Sequence, residues 1–186
     1  MNQKRRGAPA NFRRNSKTED GDGAPRTISP ARQEQRARNV LLYQLSRGAK
    51  SAHTLRQILE KREIDAEIAE SVIQRFIEVG LIDDLAYAET IVNSRRKFKG
   101  LAKSAIKREL NQKGVEASIV EQATAEVTSE DELSTAIDLA LKRVVRMAHL
   151  EREVRQRRLN GYLSRKGYSS SIVSVALKEA EASIVQ

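Results

Sequence analysis

The chain has 186 residues, no cysteine, 34 Lys plus Arg against 25 Asp plus Glu, and a formal net charge of +9. Without cysteine there is no disulfide, thiolate zinc site, iron–sulfur cluster or cysteine nucleophile. No run approaches the ~18 apolar residues that span a bilayer, and the basic N-terminus lacks the apolar stretch of a secretory signal, so a cytoplasmic protein without a membrane role is expected. The positive balance points to a polyanionic partner, nucleic acid first.

All three prolines (Pro9, Pro25, Pro30) lie near the N-terminus with Gly7, Gly21 and Gly23. A basic tail without stable structure is therefore expected over 1–31. Beyond it there is no proline, and Ala, Leu, Glu, Lys and Arg dominate, which argues for helices; no alternating strand pattern is visible. The periodicity predicts helices over 32–47, 51–62 and 65–79, then 83–98, 101–113 and 116–127, then 130–147, 151–166 and 169–183. Gly48, Gly80, Gly100, Gly114 and Gly167 each follow a helical run, where a left-handed residue ends the helix. Gly161 falls inside a helical pattern, where it would admit a close helix or simply cost some stability. Asp65, Asp83, Ser129 and Ser169 are candidate N-caps, with Ser129 and Glu132 at capping-box spacing.

The nine predicted helices fall into three related groups. The segment from Leu55 to Ile64 lies over that from Ile106 to Val115, and both lie over Leu159 to Tyr168. Leu55 with Leu59, Ile106 with Leu110, and Leu159 with Leu163 are spaced four apart and share a helix face. A basic residue follows in the last turn of each copy (Arg62, Lys113, Lys166), where the helix dipole favours cations. Gly114 and Gly167 stop the helix; Glu63 takes that place in the first copy. The register continues through Ile68, Ile119 and Ile172, then Val72, Ala123 and Ala176. The expected fold is all-α: three tandem three-helix repeats (32–80, 81–128 and 129–186) stacked into an elongated, curved array.

Charge is segregated along this array. Residues 95–113 carry a net +7, residues 114–141 a net −7, and residues 142–166 a net +7. The two basic blocks fall at equivalent places in repeats two and three, so stacking in register would put them on one face. The candidate contacts to nucleic acid or a nucleoprotein filament are Arg95, Arg96, Lys97, Lys99, Lys103, Lys107 and Arg108 in the first block. In the second they are Arg146, Arg152, Arg155, Arg157, Arg158, Arg165 and Lys166. The third helices of the first two units are acidic (Asp65, Glu67, Glu70; Glu116, Glu121, Glu126), which disfavours a major-groove reader. Most of the aromatic rings (Tyr43, Tyr87, Tyr162, Tyr168, Phe12, Phe76 and Phe98) sit at apolar helix spacing and are expected in the core.

No catalytic constellation is visible. His53 and His149 lack partners at ligand spacing, and the adjacent Asp83 and Asp84 point apart on a helix. There is no phosphate-binding glycine loop. No enzyme activity, metal or cofactor is expected.

The segment Gly80-Leu-Ile-Asp-Asp-Leu-Ala-Tyr-Ala88, followed by Arg95-Arg96, Gly100, Ile106, Glu109-Leu110 and Lys113-Gly114, resembles the RecX regulatory proteins, modulators of RecA recombinase. Leu163-Ser-Arg-Lys-Gly-Tyr-Ser169 is similar to that family's last repeat, and the resemblance covers about residues 32–183. It implies an all-helical protein that binds RecA filaments on single-stranded DNA. It also implies binding of DNA itself, double-stranded as well as single-stranded. The family suppresses ATP hydrolysis, strand exchange and co-protease activity, which bear on recombination, repair and the SOS response. Gly80 and Gly114 read as caps, Leu81 and Ile82 as core, Tyr87 as a packing ring. A monomer is expected. The alternative is a general DNA- or RNA-binding helical protein with no recombinase partner.

Overall fold

The computed structural model describes residues 29–185; Phe12 and most of the expected tail lie outside the described residues. Among the described residues the chain forms nine α-helices and no strand. The first repeat holds α1 (Pro30–Ser46), α2 (Ala52–Glu60) and α3 (Ala66–Glu78). The second holds α4 (Asp84–Ser94), extended by a π-helical turn (Arg95–Lys99), then α5 (Lys103–Gln112) and α6 (Ala117–Ala123). The third holds α7 (Ser129–Val144), a 3-10 turn (Val145–Met147), α8 (Arg152–Arg165) and α9 (Ser170–Val185).

The helix boundaries follow from local chemistry. The Asp65 carboxylate accepts the N–H groups of Glu67 and Ile68 at 2.9 and 3.3 Å. Asp83 accepts that of Ala86 at 2.9 Å, and Ser169 Oγ accepts that of Ile172 at 3.4 Å. The capping box at α7 sits one residue earlier than expected. Thr128, extended, accepts the Asp131 N–H and returns its own N–H to the Asp131 carboxylate, while Ser129 is already helical. At the far ends Gly48, Gly80, Gly100, Gly114 and Gly167 all have positive φ.

Each repeat closes its own core. Every helix pair with extensive contact lies within one repeat, which makes the molecule an array of small bundles. Leu55, Ile106 and Leu159 are fully buried, as are Leu59, Leu110 and Leu163. Each such side chain contributes about 1.5–3 kcal/mol on burial. The first helices match in the same way, through Ala37, Ala88 and Ala136. The second unit lends one residue to each neighbour: Ile82 packs into the first core and Ala102 into the third. Leu81, expected in the core, is instead 51% exposed, because the backbone turn after Gly80 sends only Ile82 inward. Tyr87, Phe76 and Tyr168 are core rings, whereas Tyr43 and Phe98 are exposed.

The repeats meet through one joint used twice. The start of α2 abuts the end of α5: Ser51 Oγ donates to the Lys113 carbonyl at 2.7 Å, and Asp84 of α4 accepts the Ala52 N–H at 2.8 Å. The start of α5 abuts the end of α8 in the same way. Ala102 N–H donates to the Lys166 carbonyl at 2.9 Å, Ser104 Oγ to the Gly167 carbonyl at 2.6 Å, and Glu132 of α7 accepts the Lys103 N–H at 2.8 Å. Orphan groups at each helix end are thus satisfied by the neighbouring repeat. The second helices meet head to tail, the carbonyl end of α8 at the start of α5 and that of α5 at the start of α2.

The joint explains the glycines and the exception among them. A Cβ on Gly114 would lie 2.2 Å from the His53 ring, and one on Gly167 would lie 2.8 Å from the Ala105 Cβ. Glu63 adopts the same left-handed conformation, φ 56°. No repeat packs against the end of α2, so a side chain fits there at a backbone cost alone. Gly161, of the two readings its position allows, does not mark a close helix. A Cβ there would meet only Arg165 Nη1, at 3.1 Å, so no helix approaches it closely.

Candidate nucleic-acid interface

The head-to-tail row carries part of both basic blocks on α5 and α8, and the turns that follow α4 and α7 carry much of the rest. At about 1.5 Å per residue, α8 is roughly 21 Å long and α5 roughly 15 Å. Two open grooves lie along the row, at equivalent places in repeats two and three. The groove of repeat three, about 430 Å³, is lined by Arg143, Arg146, Arg157, Arg158 and Arg165, with Met147 and Gly161. The groove of repeat two, about 670 Å³, is lined by Lys99, Arg108 and Lys113 with Ala105, Glu109 and Gln112.

The two grooves differ in charge balance. No carboxylate lines the groove of repeat three. Arg143 lies over the Tyr162 ring, 4.2 Å from its centroid, a cation–π contact that leaves its charge unneutralised. Like charges about 6 Å apart repel by about 0.7 kcal/mol per pair even in water. Five guanidinium groups line one open groove, and planar forks of this kind have the geometry to hold phosphate oxygens. Gly161 leaves the floor of this groove open. In the groove of repeat two the one carboxylate, Glu109, is held by Arg95 through two bonds of 2.7 and 2.6 Å. That pairing keeps the Glu109 carboxyl below its usual range.

The structure sorts the sequence-derived candidates. Lys97, Lys99, Arg108, Arg146, Arg152, Arg157, Arg158 and Arg165 are exposed and take part in no ion pair among the described residues. Arg146, Arg157, Arg158 and Arg165 come together in one groove, while Arg152 lies in another, between α8 and α9. The rest have internal partners. Arg95 holds Glu109, Lys107 holds Glu121 at 2.5 Å, and Arg96 lies 3.7 Å from Asp131. Arg155 is the most enclosed: it grips Glu181 at 2.7 Å, with side chains 11% and 9% exposed, and donates to the Leu150 carbonyl. Lys103 Nζ reaches the Val127 carbonyl at 3.3 Å, and Lys166 Nζ donates to the Lys99 carbonyl.

Arg143 and Lys113 join the grooves although they were not singled out as contacts. Arg143 stands three residues before Arg146, the spacing of neighbours on one helix face. Among the described residues no group of three His, Asp or Glu is placed to hold a metal ion, and no helix is long and apolar enough to cross a membrane.

The comparisons with known proteins agree with this architecture. Family models for the first, second and third three-helix domains of RecX match residues 37–76, 83–123 and 130–177. Among relatives, the Regulatory protein RecX of Streptomyces coelicolor is 41% identical over 146 residues, covering 78% of each chain. That of Thermobifida fusca is 37% identical over 159 residues, covering 85% of this chain and 86% of the relative. The crystal structure of RecX from Lactobacillus salivarius superposes with a TM-score of 0.73 over 82% of this chain and 99% of that one. At 24% identity it speaks for the fold. A second crystal structure of a regulatory protein RecX gives a TM-score of 0.69 at 26% identity, covering 79% of this chain and 72% of that one.

Proposed function

The chain belongs to the RecX family, and from that premise we propose that it is a stoichiometric regulator of RecA recombinase. In this reading it binds the filament that the recombinase forms on single-stranded DNA and inhibits ATP hydrolysis, strand exchange and co-protease activity. It works as a monomer in the cytoplasm and uses no cofactor.

The observation that carries the reading is the pair of equivalent basic grooves along the α8–α5 row. The spacing of a repeated groove suits a repeated ligand, such as the phosphates of a nucleoprotein filament. The arginines of repeat three supply sequence-independent attraction, and the array lies across neighbouring recombinase subunits and hinders their nucleotide-linked movement. Arg157 and Arg158 are the contacts to perturb, because Arg155 is already held by Glu181.

The experiment is recombinase ATP hydrolysis on single-stranded DNA, titrated with this protein. Inhibition at near-stoichiometric ratios is expected, with its loss in the Arg157→Glu, Arg158→Glu double variant. No inhibition by the unmodified protein refutes the proposal. DNA binding without any effect on the recombinase would instead favour a general nucleic-acid-binding protein, whose affinity falls steeply with salt.

A further inference from the structure

Phe98 is 78% exposed, the most exposed large apolar side chain among the described residues. A single apolar side chain on a surface needs no explanation by itself. Its setting is what distinguishes this one. Phe98 lies within the π-helical turn of five residues, Arg95–Lys99, in which the other four are all cationic. Lys97 Nζ lies 5.6 Å from its ring centroid, and Lys99 lines the groove with Arg108 and Lys113. Of the neighbouring cations Arg95 and Arg96 form ion pairs, with Glu109 and Asp131; Lys97 and Lys99 form none among the described residues, although Lys99 shares its groove with Glu109.

The turn is also clamped. Repeat three donates to two successive carbonyls just after the ring: Lys166 Nζ to Lys99, and Tyr168 Oη to Gly100 at 3.1 Å. Gly100 closes the turn at φ 54°, and Leu139 of α7 stands 2.9 Å from where its Cβ would be. An aromatic ring is thus held out in water on a backbone fixed from the next repeat, flanked by cations that attract phosphate. π-turns of this kind recur at functional sites.

We propose that Phe98 stacks on an unpaired base of single-stranded nucleic acid while Lys97 and Lys99 hold the flanking phosphates. The inference rests on the DNA-binding part of the function proposed above and adds a selectivity to it. Every base offers a π-face, so the contact is tolerant of sequence. A duplex keeps its bases stacked on one another and offers no such face, so the ring favours single strands.

The sequence contains no tryptophan, which makes Phe98→Trp a sole-tryptophan reporter in the full chain. The probes are a thymidine 20-mer and a duplex 20-mer. Binding of the single strand should quench the tryptophan, and the duplex should leave it bright. Phe98→Ala should weaken single-strand affinity about 10-fold and leave duplex affinity unchanged, with Phe98→Tyr retaining the unmodified affinity. Equal single-strand affinity in Phe98→Ala overturns the stacking proposal and leaves the DNA-binding reading standing. Loss of recombinase inhibition in Phe98→Ala with single-strand affinity intact also overturns it, and assigns the ring to a protein surface. If the unmodified chain binds neither probe, both readings fall.

Discussion

Replacing Gly114 by alanine should open the joint between repeats one and two. Two terms add. The first is the backbone: φ is +67°, and an L side chain there costs about 1–2 kcal/mol. The second is steric. The new Cβ would stand 2.2 Å from two ring atoms of His53 and 2.6 Å from its Cβ. Rotating the ring away relieves only the first of these contacts, so α2 has to retreat. That strains the Ser51 bond to the Lys113 carbonyl and the Asp84 bond to the Ala52 N–H, each worth about 1 kcal/mol. The expected loss is about 2–4 kcal/mol. Two controls separate the terms. Gly80 has φ +72° with nothing within 4 Å of a Cβ, so Gly80→Ala should show the backbone cost alone, about 1 kcal/mol. Glu63→Gly should stabilise by about 0.5–1 kcal/mol, because glycine relieves φ 56° where no repeat packs. Urea unfolding followed by far-UV circular dichroism measures all three. If Gly114→Ala costs no more than Gly80→Ala, the tight joint is not what selects glycine, and the reasoning fails.

Two further outcomes follow from buried polar groups. Burial, with Glu132 as the second cause, pushes the Tyr168 hydroxyl up to about 12. The unfolded chain releases that proton near pH 10, so stability is complete below that value and falls through pH 12, by on the order of 2 kcal/mol. Tyr168→Phe should flatten the alkaline limb of a stability-against-pH curve, and an unchanged limb would be the contrary result. Arg155→Ala should lower the thermal midpoint clearly because it strands the enclosed Glu181, whereas Arg158→Ala should leave it in place. Equal midpoints in calorimetry would contradict the assignment of Arg155 to the fold.

Much of the fold is written in local pattern. The spacing of Leu55 and Leu59, with their counterparts in the other repeats, shows the repeat because each leucine occupies the same buried place. The glycines mark helix ends because a positive φ is a property of a single residue. The site is less legible. Arg95 meets Glu109 and Lys107 meets Glu121, each across a turn between helices, while Arg155 meets Glu181 from α9. Nothing in the order of charges says which cations face a carboxylate and which face water. Phe98 looks like a core ring by spacing, and only the π-turn shows that it is displayed. Ser51 caps α2 locally by accepting the Thr54 N–H, but its bond to the Lys113 carbonyl reaches another repeat and leaves no mark in the local pattern.

The joint has a consequence for how long such a molecule can be. Both of its halves occur on the second repeat. One end of α5 offers Ala102 and Ser104 as donors, and the other offers the Lys113 carbonyl and Gly114, with Asp84 beside it. Two copies of that unit placed in tandem would meet with matching chemistry, Gly114 facing Ser104 as Gly167 already does. The protein is therefore extensible: a duplicated second unit would lengthen it by one step and add one more groove, so reach along a polymer is counted in whole modules.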